Sequence, residues 1–198
     1  MKVKICGLSR PADIAAVNAA KPDYCGFIVN FPKSRRNVSP DTLRTLRAGL
    51  STDVIPVGVF VDQPAEEIAA LLNDGSISVA QLHGHEDEGY IAALRRLTDR
   101  PIWQAFQVHT AVDAARANAS IADLVLLDAG QGAGKAFDWT LLRGMTRPFA
   151  LAGGLNTDNI SDALRTHAVL LDVSSGAETG GYKDANKIET IVRMIKGE

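Results

Sequence analysis

Val3-Lys4-Ile5-Cys6-Gly7-Leu8 opens the chain, and its reading sets the architecture. Val3 and Ile5 alternate with Lys4 and Cys6, the two-residue period of a β-strand. Gly7 then releases the backbone into a turn. The thiol of Cys6 therefore stands at the carboxyl end of a first strand, on the same side as Lys4. In a barrel of parallel strands, that end carries the chemistry. The fold is decided by whether the remaining sequence builds such a barrel and brings a partner to Cys6.

Outward from this stretch, short apolar runs alternate with amphipathic ones. A helix over 11–20 begins with Pro11, which suits a first helical turn. A strand is expected over 24–29, then a helix over 41–48 capped by Ser39. Strands over 54–61, 78–83, 101–108, 124–128, 149–152 and 168–173 follow. The helices between and after them are expected over 64–73, 86–97, 110–118, 138–145, 156–165 and 184–195. Eight strand–helix pairs without a linker or low-complexity segment imply a parallel sheet covered by helices. Eight units with nothing left over favour closure into a single (β/α)8 TIM barrel domain over 1–198, because an open sheet would leave edges to cover.

Composition agrees. The 198 residues suffice for one domain, at the short end for such a barrel. A hydrophobic content of 46%, a charged content of 22% and a net charge of -2 are ordinary for a globular protein. They give no electrostatic footprint for nucleic acid or an anionic membrane. No apolar run is long enough to span a bilayer, and the amino terminus reads as a charged strand rather than a leader, so a cytoplasmic location is expected. Cys6 and Cys25 fit no metal spacing, and a disulfide between them is not expected in a reducing compartment.

The strand ends carry the candidate ligands. The seventh strand runs into Gly153-Gly154, and the eighth from Asp172 into Ser174-Ser175-Gly176. Glycines let backbone N–H groups approach an anion, and serines add hydroxyl donors. Loops at these two positions form a recurring phosphate site in barrels, so a phosphorylated small molecule is the expected partner; the bland alternative is that the glycines only make turns. The sixth strand ends in Asp128, which alone reads as a turn former or cap, but across a barrel from Cys6 reads as an acid facing a base. Gln81 and His83 share one strand face and either line the pocket or fill the barrel. His83 and His85 lack further ligands at metal spacing, so no metal is expected. Residues 130–136 miss the Walker pattern at Ala129 and Ala136 and read as a mobile active-site loop. Cys25 reads as a small buried hydrophobe. Lys33-Ser34-Arg35-Arg36 is either a solvated charge run or an anion site at the catalytic end.

Taken together, Lys4-Ile5-Cys6-Gly7-Leu8, Gly26-Phe27, Pro32-Lys33-Ser34-Arg35-Arg36, Gly58-Val59-Phe60-Val61, Gln81-Leu82-His83-Gly84, Leu127-Asp128, Gly134-Lys135 with Phe137-Asp138-Trp139, Ala152-Gly153-Gly154-Leu155-Asn156 and Asp172-Val173-Ser174-Ser175-Gly176 with Glu178 resemble the phosphoribosylanthranilate isomerase family along the whole chain. The resemblance implies an Amadori rearrangement in tryptophan synthesis, without a cofactor. It implies Asp128 as general acid, Cys6 as general base and Arg36 as the holder of the anthranilate carboxylate. Gly153, Gly154, Ser174, Ser175 and Gly176 would hold the phosphate, with Gln81, His83 and Asp172 also at the substrate. Gln131-Gly132-Ala133-Gly134 and Ala136 depart from the family pattern, which bears on loop mobility and rate. The histidine-pathway isomerase on a related barrel carries an aspartate where Cys6 stands. A metal-dependent epimerase would need several His and Asp ligands at strand ends. A non-catalytic phosphate-binding barrel would not need Cys6, Asp128 and Arg36. Oligomeric state, monomer or homodimer, is left open. So is whether Lys4 lowers the thiol pKa or is neutralised by Asp172.

Overall fold

The computed structural model describes residues 1–128 and 139–197. Eight parallel strands form its centre: β1 (Lys2–Cys6), β2 (Tyr24–Val29), β3 (Ile55–Phe60), β4 (Val79–Leu82), β5 (Ile102–Gln107), β6 (Leu124–Asp128), β7 (Phe149–Leu151) and β8 (Leu170–Val173). Each pairs with its neighbour in sequence, and β8 and β2 both pair with β1, so the sheet closes into a (β/α)8 barrel. A two-residue strand, Asn37–Val38, pairs in parallel with Ile28 and Val29 at the end of β2.

Pairing register fixes which side chains point inward. Lys4 lies opposite both Tyr24 and Asp172, Cys6 opposite Gly26, Val59 opposite Gln81, and Gln107 opposite Asp128. Residues paired across a parallel ladder share a face, so these all look into the barrel. Its floor is a small apolar cluster that includes Tyr24, Val57, Val79, Trp103, Leu126, Ala150 and Leu170. The alternate residues, among them Val3, Ile5, Cys25, Phe27, Leu82 and Leu127, face the helices and build the larger core. Both faces are buried along β7, which reads as a continuous apolar run, Phe149-Ala150-Leu151.

The helices are α1 (Pro11–Ala20), α2 (Pro40–Ala48), α3 (Ala65–Asn73), α4 (Glu88–Arg95), α5 (Ala111–Ala119), α6 (Ile160–Ala163) and α7 (Ala185–Lys196). Their starts follow from capping chemistry. The Ser39 hydroxyl accepts from the Thr42 N–H, Asp87 accepts from Tyr90, and Asp184 accepts from Asn186 and Lys187. No helix of the described residues is long and apolar enough to cross a membrane.

Two expected helices differ. Within 138–145, the described part is a 3₁₀ helix, Trp139–Gly144, and residue 138 lies outside the described residues. The helix expected over 156–165 shrinks to the single turn of α6, with Asn159 rather than Asn156 at its start. The polar residues before it bond locally instead: Asn159 Oδ1 accepts from the Asn156 N–H and Asn156 Oδ1 from the Asp158 N–H. Such side-chain bonds compete with helical ones.

Candidate active site

Cys6 ends β1 on the inward side, with only 7% of its surface exposed. Its space comes from Gly26 across the ladder, where an added Cβ would lie 2.7 Å from the sulfur and 3.0 Å from Lys4 Nζ. Lys4, fully buried, donates to Asp172 Oδ2 at 2.9 Å. Of the two fates open to Lys4, neutralisation by Asp172 is thus present. Burial works against the ammonium, but Asp172 and Cys6 outweigh it and hold the Lys4 pKa above its ordinary value. The thiol is pushed up: burial dominates, with Lys4 opposing it, Asp172 adding to it and Lys183 opposing it more weakly. Cys25 faces outward, fully buried, and both cysteines are free thiols.

Across the mouth, Asp128 ends β6 two residues beyond Leu126 of the barrel floor. His83 Nε2 lies 3.6 Å from Asp128 Oδ2, and His83 Nδ1 lies 3.2 Å from Gln81 Nε2. With the Gln81 amide donating to Nδ1, a neutral ring carries its hydrogen on Nε2, facing the carboxylate. Gln81 is buried, and its Oε1 has no hydrogen-bond partner among the described residues, as is true of Asp172 Oδ1. Gln81 and His83 therefore stand on the barrel-facing side, as their spacing suggested. Among the described residues, no group of three His, Cys, Asp or Glu is arranged to hold a metal.

The loops after β7 and β8 meet. Gly153 and Gly154 take positive φ angles of 87° and 68°, which only glycine adopts without strain. Ser175 and Gly176 open a one-turn 3₁₀ helix, Ser175–Ala177. A Cβ on Gly176 would lie 2.0 Å from the Leu155 carbonyl oxygen, so this glycine is what lets the two loops touch. The Ser174 hydroxyl is committed to the Cys6 carbonyl at 3.1 Å, tying the ends of β8 and β1 together. The 130–136 loop, with its Walker-like glycines, lies outside the described residues.

Arg36 is where the charge run becomes structure. Its Nε and Nη2 donate to the two oxygens of Glu178, at 2.6 and 2.9 Å. Arg35 Nη2 reaches Glu178 Oε2, and Lys183 Nζ reaches Oε1 at 2.6 Å. Burial raises the Glu178 pKa, but Arg36 and Lys183 more than offset this and leave it below the usual carboxylate range. Burial lowers the Lys183 pKa in spite of Glu178. Sequence reasoning gave Glu178 no role and missed Lys183. The signal was present in Gly180-Gly181, both at positive φ, which turn a two-residue hairpin and set Glu178 opposite Lys183.

A closed (β/α)8 barrel whose mouth collects a thiol, a carboxylate, an imidazole and an arginine defines an acid–base enzyme of the barrel class. The family model for N-(5'-phosphoribosyl)anthranilate (PRA) isomerase matches residues 3–194. A relative from Endomicrobium trichonymphae named N-(5'-phosphoribosyl)anthranilate isomerase is 41% identical, covering 98% of each chain. The crystal structure of phosphoribosyl anthranilate isomerase from Thermus thermophilus superimposes with a TM-score of 0.88 at 32% identity, covering 100% of this chain and 99% of that one. Another isomerase structure, in complex with reduced 1-(o-carboxyphenylamino)-1-deoxyribulose 5-phosphate, matches at 0.87 and 31% over 100% of both chains. The chain belongs to the N-(5'-phosphoribosyl)anthranilate isomerase family and is an isomerase.

Proposed function

We propose that the chain rearranges N-(5'-phosphoribosyl)anthranilate to 1-(2-carboxyphenylamino)-1-deoxyribulose 5-phosphate, the Amadori step of tryptophan synthesis, with Asp128 and Cys6 as the acid–base pair. The observation that carries this reading is their placement: each closes a strand on its inward face, at the same end of the barrel. Asp128 protonates the furanose ring oxygen, the C1–O bond breaks, and the anthranilate nitrogen lone pair forms the Schiff base. Cys6 takes the proton from C2, giving an enolamine that tautomerises to the ketone. Redox balance is internal to the substrate, C1 being reduced as C2 is oxidised.

Arg36 holds the anthranilate carboxylate; Gly153, Gly154, Ser174, Ser175 and Gly176 hold the phosphate. Gln81, His83 and Asp172 border the sugar, and the unpartnered Gln81 Oε1 and Asp172 Oδ1 support that assignment as acceptors for hydroxyl groups. Each acid or base group contributes about 10²–10⁴-fold, or roughly 3–5 kcal/mol of barrier. The whole chain acts as one barrel domain in the cytoplasm, as monomer or homodimer. The test is a fluorescence assay: adding the protein to freshly prepared substrate extinguishes the anthranilate-type emission, whereas an unchanged signal ends the reading.

A further inference from the structure

We propose that Glu178, held by Lys183, is the positioning residue that aims Arg36 at the substrate carboxylate. This rests on the Arg36 assignment above and extends it to a residue with no contact to the reacting atoms.

The geometry is specific. Glu178 takes the Nε and one Nη2 hydrogen of Arg36 in a side-on fork, which leaves the Nη1 edge for a second planar anion. The Glu178 side chain is 5% exposed and cannot swing away. Lys183, itself 1% exposed, anchors Oε1 and also donates to the Ser174 carbonyl; Lys187 donates to the Glu178 carbonyl at 2.7 Å. The Arg36 stem runs over Gly7, where a Cβ would stand 2.4 Å from Arg36 Cδ. Gly7 also has a positive φ of 85°. One end of Arg36 is thus seated on the turn that follows Cys6 and the other on Glu178. Three cations face this one carboxylate, so Glu178 directs the arginine without cancelling the positive field that draws an anion.

The substrate carboxylate keeps its charge throughout the reaction. A clamp on it binds ground state and transition state alike, so loosening the clamp raises KM and leaves kcat in place. Glu178→Gln is expected to raise KM about 10-fold with kcat within about two-fold. In an Arg36→Met background the same change is expected to move KM by less than about two-fold, because a residue acting through Arg36 has nothing left to position. Glu178→Asp keeps the charge beside Lys183 but withdraws it by one methylene. It serves where Glu178→Gln fails to fold, with a KM rise of about three-fold or more that also vanishes without Arg36.

A Glu178 penalty that persists in full in the Arg36→Met background, or that falls on kcat instead, overturns the proposal. So does a wild-type KM in the Glu178 variants while Arg36→Met raises KM, a result that leaves the carboxylate clamp standing. A wild-type KM in Arg36→Met removes the clamp and the proposal together.

Discussion

A thiol makes a weak base near neutrality, since an ordinary cysteine is only a few per cent ionised there. Cys6 is worse placed, because burial raises its pKa further against the pull of Lys4. Two outcomes follow at this position. Cys6→Ala and Asp128→Ala should each lower kcat by about 10²–10⁴-fold while the far-ultraviolet circular dichroism stays native. If Cys6 is the base, the limb of kcat/KM that reports its ionisation should rise with pH through neutrality and above, because the active thiolate grows as the proton leaves. A profile unaffected by Cys6→Ser would contradict this. Gly26→Ala tests the space around the sulfur: its Cβ would press on Cys6 Sγ at 2.7 Å and on Lys4. It should depress kcat more than KM, measured by steady-state kinetics.

At the scale of elements, the strands were the legible part. The bounds of β2 and β6 and of α1 match the periodicity, since each is a short run whose neighbours break the pattern. What lay hidden was pairing between distant side chains. Nothing in Lys33-Ser34-Arg35-Arg36 says that Glu178, 142 positions on, receives Arg36. Cys6 and Asp128 were legible because strand ends can be counted, and the Gly180-Gly181 turn signals Glu178 opposite Lys183, but the approach of that hairpin to Arg36 is long-range. The short α6 and the 3₁₀ helix at Trp139–Gly144 were misread because the sequence there supplies local polar bonds or too few turns of amphipathic pattern. The contact between the two glycine-bearing loops yields a prediction at this scale. Gly176→Ala would put its Cβ 2.0 Å from the Leu155 oxygen, so the loops must part. KM for the phosphorylated substrate should rise, with inorganic phosphate losing its power as a competitive inhibitor, read from inhibition kinetics.

For the whole molecule, pH acts on stability through groups shut inside. Burial pushes Cys25 up to about 12, and Cys6 and Lys4 are also displaced upward. A raised folded-state pKa means that the native state keeps its proton longer than the unfolded chain does. Stability from such a group is complete below its unfolded value and drains away as pH climbs through the folded one. The unfolding free energy should therefore fall between about pH 9 and 12, with Cys25 contributing at most about 1.4 kcal/mol per pH unit. Denaturant titrations of the protein and of Cys25→Ala should show the shallower slope in the variant.

Lys4 and Asp172, 168 positions apart, join the first strand to the last. Asp172→Ala strands the buried ammonium and should cost about 3–5 kcal/mol, whereas replacing both partners with apolar residues should cost less, by the same titrations. The seam also has a temporal meaning. During synthesis from the amino terminus, the ammonium of Lys4 has no Asp172 to pair with until β8, 168 positions on, has emerged from the ribosome. Nascent fragments ending before Asp172 are thus kept from sealing, and the cylinder can shut only when its final stave arrives.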